Sequence, residues 1–209
     1  TTLTWAQGAD VTSLDPHQGK ETPAVQVNTQ IFDTLVTVDP ETNEVVPQIA
    51  ESWEQTDDQT YVFKIREGIK FHDGSDLTAE DVKYSLERSH NESALARLAM
   101  LDHCEVIDDF TVKCVLPNPV ASFLAALTNS GNVIVPKEEV EGWGDEFGAH
   151  FVGTGPFMMK EWKTDEAVEF VRSENFWGGE VYLDGLNFVY ITDINQRVNA
   201  LKNGDIDIA

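Results

Sequence analysis

Between Ile49 and Arg88 the apolar positions change period twice, and each change predicts an element. Glu51 to Gln55 reads as a strand, Thr56-Asp57-Asp58-Gln59 as a polar turn, and Tyr61-Val62-Phe63-Lys64-Ile65 as the returning arm of a hairpin. Gly68 breaks that strand, Ile69-Lys70-Phe71 alternates again, and Asp73-Gly74 turns the chain. Thr78 then precedes Ala79-Glu80-Asp81. This is an N-cap with acids in the first helical turn, where carboxylates meet the positive end of the helix dipole. Val82, Tyr84 and Leu86 give the helix an apolar side, and Arg88 closes it with a cation before the polar loop Ser89 to Ser93.

The flanks continue in the same mixture. Leu3 to Ala6 predicts a strand. Pro23 opens a helix carrying Val25, Asn28, Ile31, Phe32 and Leu35 at helical spacing. Asp39 to Asn43 is a turn between short strands. Leu95, Leu98, Ala99 and Leu101 form a helical stripe. Cys104 to Cys114 reads as a hairpin around Asp108-Asp109. A short helix over 122–127 precedes a strand over 133–136, and an acidic helix and loop over 137–150 is anchored by Trp143 and Phe147. A hairpin over 157–172 and a strand over 186–191 follow. Asp193 is the N-cap of a helix over 196–203, Gly204 its C-cap, and Ile206 to Ile208 a last strand. Strands and helices interleaved in this way predict an α/β protein.

Charge narrows the function classes. The chain has 37 acids against 14 bases, a net charge of −23. That is a solvated acidic surface with a long-range preference for cationic ligands. Nucleic acid is excluded as a partner, because phosphate neutralisation needs clusters of Lys and Arg. No apolar run approaches the roughly 20 residues that span a bilayer. Ser and His occur, but neither a Gly-x-Ser-x-Gly nor a His-Glu-x-x-His pattern does, so no catalytic residue is assigned and an enzyme is not expected. Gly153-Thr154-Gly155-Pro156 is not a phosphate loop. Pro156 removes a backbone donor and no Gly-Lys-Ser/Thr follows. The two glycines instead let the backbone pass close to a neighbour. No cofactor is expected.

A set of motifs now gains meaning as a set. It comprises Ser13-Leu14-Asp15-Pro16-His17, Ala50-Glu51-Ser52-Trp53, Phe63 to Gly74, Leu77-Thr78-Ala79-Glu80-Asp81-Val82, Val152 to Phe157, Glu161-Trp162, Asn175-Phe176-Trp177 and Leu201 to Asp207. In this order and spacing the chain resembles the family 5 extracellular solute-binding proteins, the peptide- and nickel-binding receptors of ABC importers. The resemblance implies a periplasmic binding protein-like II fold with flanking helices, represented here by its N-terminal portion. Residues 1–37 and 151–209 would form a first domain and 38–150 an inserted second one. A third domain and the return to the first would lie beyond Ala209, and a leader would already have been removed before Thr1. The implied protein is an exported monomer at the periplasmic or outer face of the membrane, free or lipid-anchored. Its partners would be a peptide or similar small solute and the permease subunits. Two alternatives stay open: a ligand-sensing module, and a nickel or metal-chelate receptor. Against the latter, nickel-binding members carry an arginine near the 128–132 link, and this chain has none between Arg97 and Arg172.

The resemblance also places three segments near the ligand. They bring Lys20, Glu21 and Thr22 in the loop before the first helix, Asn91 after the Thr78-capped helix, and Asn129 and Ser130 in the 128–132 link. Side chains alternate along an extended loop, so only one of Lys20 and Glu21 points at the ligand. Glu21 is expected to do so and to receive a cationic group such as a peptide amino terminus. Cys104 and Cys114 face each other across one hairpin, and in an exported protein a disulfide is expected. The alternative is two small buried thiols. A metal site is disfavoured, since the adjacent His103 points to the opposite strand face and no fourth ligand is evident.

Overall fold

The computed structural model describes residues 1–209 apart from Thr12, Lys20 and Ala94. In chain order the elements are β1 (Thr2–Gln7), α1 (Thr22–Ile31), β2 (Val36–Val38), β3 (Val45–Pro47), β4 (Ala50–Asp57), β5 (Thr60–Ile65) and α2 (Ala79–Glu92). There follow β6 (His103–Asp108), β7 (Thr111–Val115), α3 (Phe123–Leu127), α4 (Lys137–Trp143), a 3-10 turn over Gly144–Ala149, β8 (Phe157–Lys163), β9 (Ala167–Arg172), β10 (Gly185–Tyr190) and α5 (Ile194–Asn203). Two four-stranded sheets result. The first has the order β1-β10-β9-β8, with β1 parallel to β10 and the remaining pairs antiparallel. The second, β4-β5-β7-β6, is wholly antiparallel. β2 and β3 form a separate ribbon.

Alternation explains which face each sheet buries. On β5 the residues Tyr61, Phe63 and Ile65 are buried while Lys64 is exposed. Phe63 lies opposite Val112, and Tyr61 opposite Cys114. The apolar side of α2, Val82 and Leu86, joins this cluster together with Ile69, Phe71, Phe123 and Leu127. Burying each side chain of this size stabilises by about 1.5–3 kcal/mol. A second cluster gathers Leu14, the inner face of α1, Phe157, Phe170 and Phe188. Val133, Val135, Val140 and Phe147 also pack there, so the stretch after α3 leans on the first sheet's core. α2 is the wall between the two. Ser85 Oγ accepts from the Val135 amide at 2.9 Å, and Asp81 Oδ1 accepts from the Lys137 amide at 3.0 Å.

The expected ends of α2 and α5 are built as the sequence suggests at three points. The Thr78 amide donates to Asp81 at 2.9 Å, one arm of a capping box. Asp193 accepts from the Gln196 amide at 2.9 Å, and Gly204 closes α5 in the left-handed region at φ 79°. Several expectations need correction. α2 does not stop at Arg88 but runs to Glu92, and Arg88 is buried rather than a terminal solvated cation. α1 stops at Ile31, and its buried stripe is Ala24, Val27, Asn28 and Ile31 rather than one reaching Leu35. Leu95 to Leu101 is a run of turns in which Leu98 and Leu101 are buried and Leu95 exposed. The predicted strands at 133–136 and 206–208 are single bridges, Thr34 with Val133 and Trp5 with Ile208. Phe147 is fully buried, but Trp143 is exposed and stacks on His150 with ring centres 3.5 Å apart.

Candidate functional site

Two buried polar clusters hold the places where the chain passes between the cores. The first centres on Asp33, just after α1. Its carboxylate accepts from Gln48 Nε2 at 2.9 Å, Thr154 Oγ1 at 2.9 Å and Trp177 Nε1 at 3.1 Å. Burial pushes the Asp33 carboxyl above the usual carboxylate range, against the pull of those three donors. His72 sits beside it in the chain's path. Its Nε2 donates to the Gly155 carbonyl at 2.9 Å, and its own amide donates to the Gly153 carbonyl at 2.9 Å. Thus His72, Thr154 and Trp177, from three of the sequence motifs, meet Asp33 at one crossing. Here the 153–155 strand of backbone lies directly on the end of α1, with the Gly155 amide donating to the Ile31 carbonyl at 2.7 Å. A Cβ at Gly153 would stand 2.1 Å from that same oxygen, which explains the glycine.

The second cluster joins the Leu14–His17 loop to α2. The Arg88 guanidinium grips Asp15 with both forks, NH1 to Oδ1 at 2.9 Å and NH2 to Oδ2 at 2.6 Å. Arg88 also reaches Glu92 at 3.1 Å. His17 is fully buried, with Nε2 3.0 Å from the Val133 carbonyl and Nδ1 2.9 Å from Arg88 NH1. A carbonyl only accepts and a guanidinium only donates, so Nε2 carries the proton and the ring is neutral. Burial, reinforced by the charge of Arg88, lowers the His17 value to about 4. Burial works to raise the Asp15 carboxyl, but the bonds and charge of Arg88 outweigh it and hold the group below its usual range.

This arrangement sets a pH dependence. From its ordinary value of 6.5 down to about 4, the unfolded chain binds a proton at His17 that the folded protein refuses. Stability therefore falls as pH drops through that window. His72, also lowered, acts in the same direction, whereas Asp33, raised, acts in the opposite one. Denaturant unfolding at pH 7 and pH 4.5 should differ, and His17→Gln should shrink the difference by up to about 2.5 kcal/mol. An unchanged difference would show that His17 is not buried in its neutral form.

Loop segments expected at the ligand gather around this second cluster. The Ser89 hydroxyl donates to Asn132 Oδ1 at 2.5 Å, and Asn132 Nδ2 donates to the Ala126 carbonyl at 2.7 Å, tying α2 to the 129–132 link. Arg97 donates to the carbonyls of His17 at 3.0 Å and Gly19 at 2.6 Å, and its guanidinium lies against Gly131. A cavity of about 520 Å³ opens between Leu95, Ala96, Arg97, Thr128 and Asn129. Glu21 is the exposed N-cap residue of α1 and Thr22 its exposed first residue. Lys20 lies outside the described residues. Asn91 belongs to the last turn of α2, exposed, and not to a loop. Asn129 is exposed, its Oδ1 turned back to accept from the Gly131 amide at 2.9 Å. Ser130 lines a separate cavity of about 180 Å³ shared with Asp33, Thr34 and Gln48.

The chain has no arginine from 98 to 171, yet the Arg97 guanidinium reaches the 128–132 link in space. Sequence reasoning missed Asp15, His17, Arg88 and Asp33 as site-building residues. The available signal was Ser85, Arg88 and Ser89 on the side of α2 that also bears Val82 and Leu86, polar groups on a face otherwise apolar.

Cys104 and Cys114 are direct cross-strand partners. Both are buried, and their sulfurs lie 3.0 Å apart, unbonded but close to the about 2.05 Å of a disulfide. Contact with Cys104 and burial push the Cys114 thiol up, which keeps it unreactive once folded. We propose that the pair is oxidised during export, when the strands are still accessible. Protein recovered from an oxidising compartment should then resist alkylation when denatured without reductant. Two modifiable thiols would refute this.

Mixed sheets with helices packed on them make this an α/β fold, and it superposes on solved periplasmic binding proteins. The model for the bacterial extracellular solute-binding proteins, family 5 Middle, matches residues 44–209, and the chain belongs to that family. It is 31% identical over 210 residues to Glutathione-binding protein GsiB of Pectobacterium atrosepticum, an alignment covering 98% of this chain and 41% of that protein. The solved structure of the PBP AgaA in complex with agropinic acid, from A. tumefaciens R10, superposes with a TM-score of 0.92 at 31% identity. That match covers 99% of this chain and 43% of AgaA. The periplasmic binding protein DppA from Helicobacter pylori, in complex with the peptide STSA, gives 0.90 at 28% identity over 99% of this chain and 46% of its own. The chain thus spans 41% of the length of the GsiB relative it matches. Among the described residues no helix is long and apolar enough to cross a membrane.

Proposed function

We propose that this chain is part of the substrate-binding component of an ABC importer, which captures a peptide or similar small solute and delivers it to the membrane permease subunits. Family membership across residues 44–209 is the observation that carries the reading. Arg97, which lines the depression it shares with Thr128 and Asn129, also donates to the His17 and Gly19 carbonyls, and this joining of the loop before α1 to the 128–132 link supports it. The chemistry is binding without bond breaking. Backbone and side-chain donors at the depression exchange water for solute, and closure of a facing lobe would raise the strength of each contact by lowering the local dielectric. The division into residues 1–37 with 151–209, and 38–150 as an insert, belongs to this reading. So do an exported location, at the periplasmic or outer membrane face, and a monomeric receptor.

A metal-chelate receptor is the second reading, and one observation favours it: the Arg97 cation lies on Gly131, beside the depression. Among the described residues no group of three His, Cys, Asp or Glu side chains is placed to hold a bare metal ion. A metal would therefore have to arrive already chelated.

Glu21 provides the test for a peptide-like solute. The net charge of −23 attracts cations at long range, but screening limits that pull to about 8 Å at physiological salt, so the nearest side chain decides. Calorimetry of the intact receptor with a solute bearing a free amino group should show Glu21→Gln weakening binding by about 1–3 kcal/mol. Lys20→Gln should change it little. The reverse order would assign this loop to an anionic group.

A further inference from the structure

We propose that Arg97 is a positioning residue for the loop that leads into Glu21 and Thr22 at the start of α1: its guanidinium locks the 16–19 backbone against the 129–131 link. Three independent observations carry this. First, the donors of Arg97 go to main-chain carbonyls of one short segment: Pro16 at 3.5 Å, His17 at 3.0 Å and Gly19 at 2.6 Å, with Ser93 Oγ at 3.4 Å alongside. A planar fork serving several acceptors fixes direction as well as distance, which an ammonium on a flexible stem does not.

Second, the guanidinium fills the space where residue 131 would carry a side chain. A Cβ there would lie 2.3 Å from both Cζ and Nε of Arg97. Gly131 lies outside the left-handed region, so its backbone conformation does not explain it. The close approach is the reason for the glycine.

Third, the residue that aims Arg97 is strained. Ala96 has φ 48°, in the left-handed region that alanine rarely adopts. Such conformations persist where the surroundings over-determine them, and they cluster at functional positions. Here the surroundings are the Ala96 amide donating to the Ser93 carbonyl at 2.9 Å and the Ala99 amide donating to the Ala96 carbonyl at 3.2 Å.

The held segment is also tied from its other side. The amides of Gln18 and Gly19 both donate to the Asp15 carbonyl, at 3.3 and 2.8 Å, and the His17 amide donates to the Asp15 carboxylate at 3.1 Å. The loop is thus held by Asp15 through its amides and by Arg97 through its carbonyls. Arg97 connects it to the 129–131 link, so the two ligand-side segments share one orientation. This assignment rests on the reading that the 18–22 loop faces the solute, but the lock itself does not.

Hydrogen exchange of the intact polypeptide tests it through the amides of His17, Gln18 and Gly19. Arg97→Gln should speed their exchange at least tenfold, with exchange in β5 and β7 unchanged. Arg97→Lys, which keeps the charge and folds under milder perturbation, should give most of the same increase. Gly131→Ala displaces the guanidinium without removing it and should reproduce the increase alone. Added to Arg97→Gln, it should contribute nothing further, because both act through one contact. Unchanged exchange in Arg97→Lys and Arg97→Gln, or a Gly131→Ala effect that adds in full to Arg97→Gln, would overturn the proposal. Failure of the underlying reading looks different: wild-type loop amides that do not slow when solute binds.

Discussion

Arg88→Ala lowers the unfolding free energy of this protein by about 3–5 kcal/mol, the cost of removing one partner from a buried ion pair. The side chains of Arg88 and Asp15 are 6% and 8% exposed, so neither charge is relieved by water. Alanine leaves the Asp15 carboxylate without its bidentate partner, and the His17 Nδ1 acceptor without its donor. The second loss distinguishes this from the break of an ordinary salt bridge, because a buried acceptor left unmade costs about another 1–3 kcal/mol. The carboxylate can escape by taking up a proton, so the Asp15 value should rise and the deficit should shrink at acid pH. Denaturant unfolding at neutral pH is the measurement. A loss below about 1 kcal/mol would mean that the pair is solvated and the loop is held by other contacts.

Gly155→Ala is expected to be similarly damaging, for a steric reason. The added methyl would stand 2.6 Å from the Ile31 carbonyl carbon and 2.7 Å from the Gln30 oxygen, both main-chain atoms at the end of α1. Backbone cannot swing aside as a side-chain tip can, and retreat would break the 2.7 Å bond from the Gly155 amide to the Ile31 carbonyl. Overpacking of this kind costs about 1–3 kcal/mol or more, and the lost buried hydrogen bond adds to it. Gly142→Ala is the control. It lies in α4 with nothing within 4 Å of an added Cβ, and there alanine should stabilise by about 0.5–1 kcal/mol. Equal effects at the two glycines would refute the close-approach account of the Gly-Thr-Gly turn.

Local rules made much of the fold legible. The hairpin of β4 and β5 and the caps at Thr78, Asp193 and Gly204 follow from alternation and from short polar side chains, which act within a few residues of themselves. What those rules misread was decided by partners far away in sequence. Arg88 looked like a terminal cation because nothing near it in the chain shows Asp15, 73 residues away, waiting at its side. The Leu95–Leu101 stripe had helical spacing, but the strain at Ala96 and the reach of Arg97 to the 16–19 backbone replace the helix with turns. The 128–132 link does adjoin α2 and the His17 loop, yet Asn129 turns its oxygen back onto its own turn and Asn91 remains inside a helix. Asp33 was passed over because a carboxylate at a helix end usually meets water, and here it meets Gln48, Thr154 and Trp177 instead.

The central claim is that this chain supplies one face of a solute-binding cleft, with the 17–22 loop and the 129–132 link at that face. Hydrogen exchange of the intact polypeptide, with and without solutes drawn from dipeptides, tripeptides, sugar–amino-acid conjugates and metal–histidine chelates, tests it most directly. The account predicts that at least one such solute binds unchanged, and that the amides of both segments slow together when it does. A polypeptide that binds none of them, that chemically transforms the one it takes, or that shows protection elsewhere while these two segments exchange as before, would contradict it.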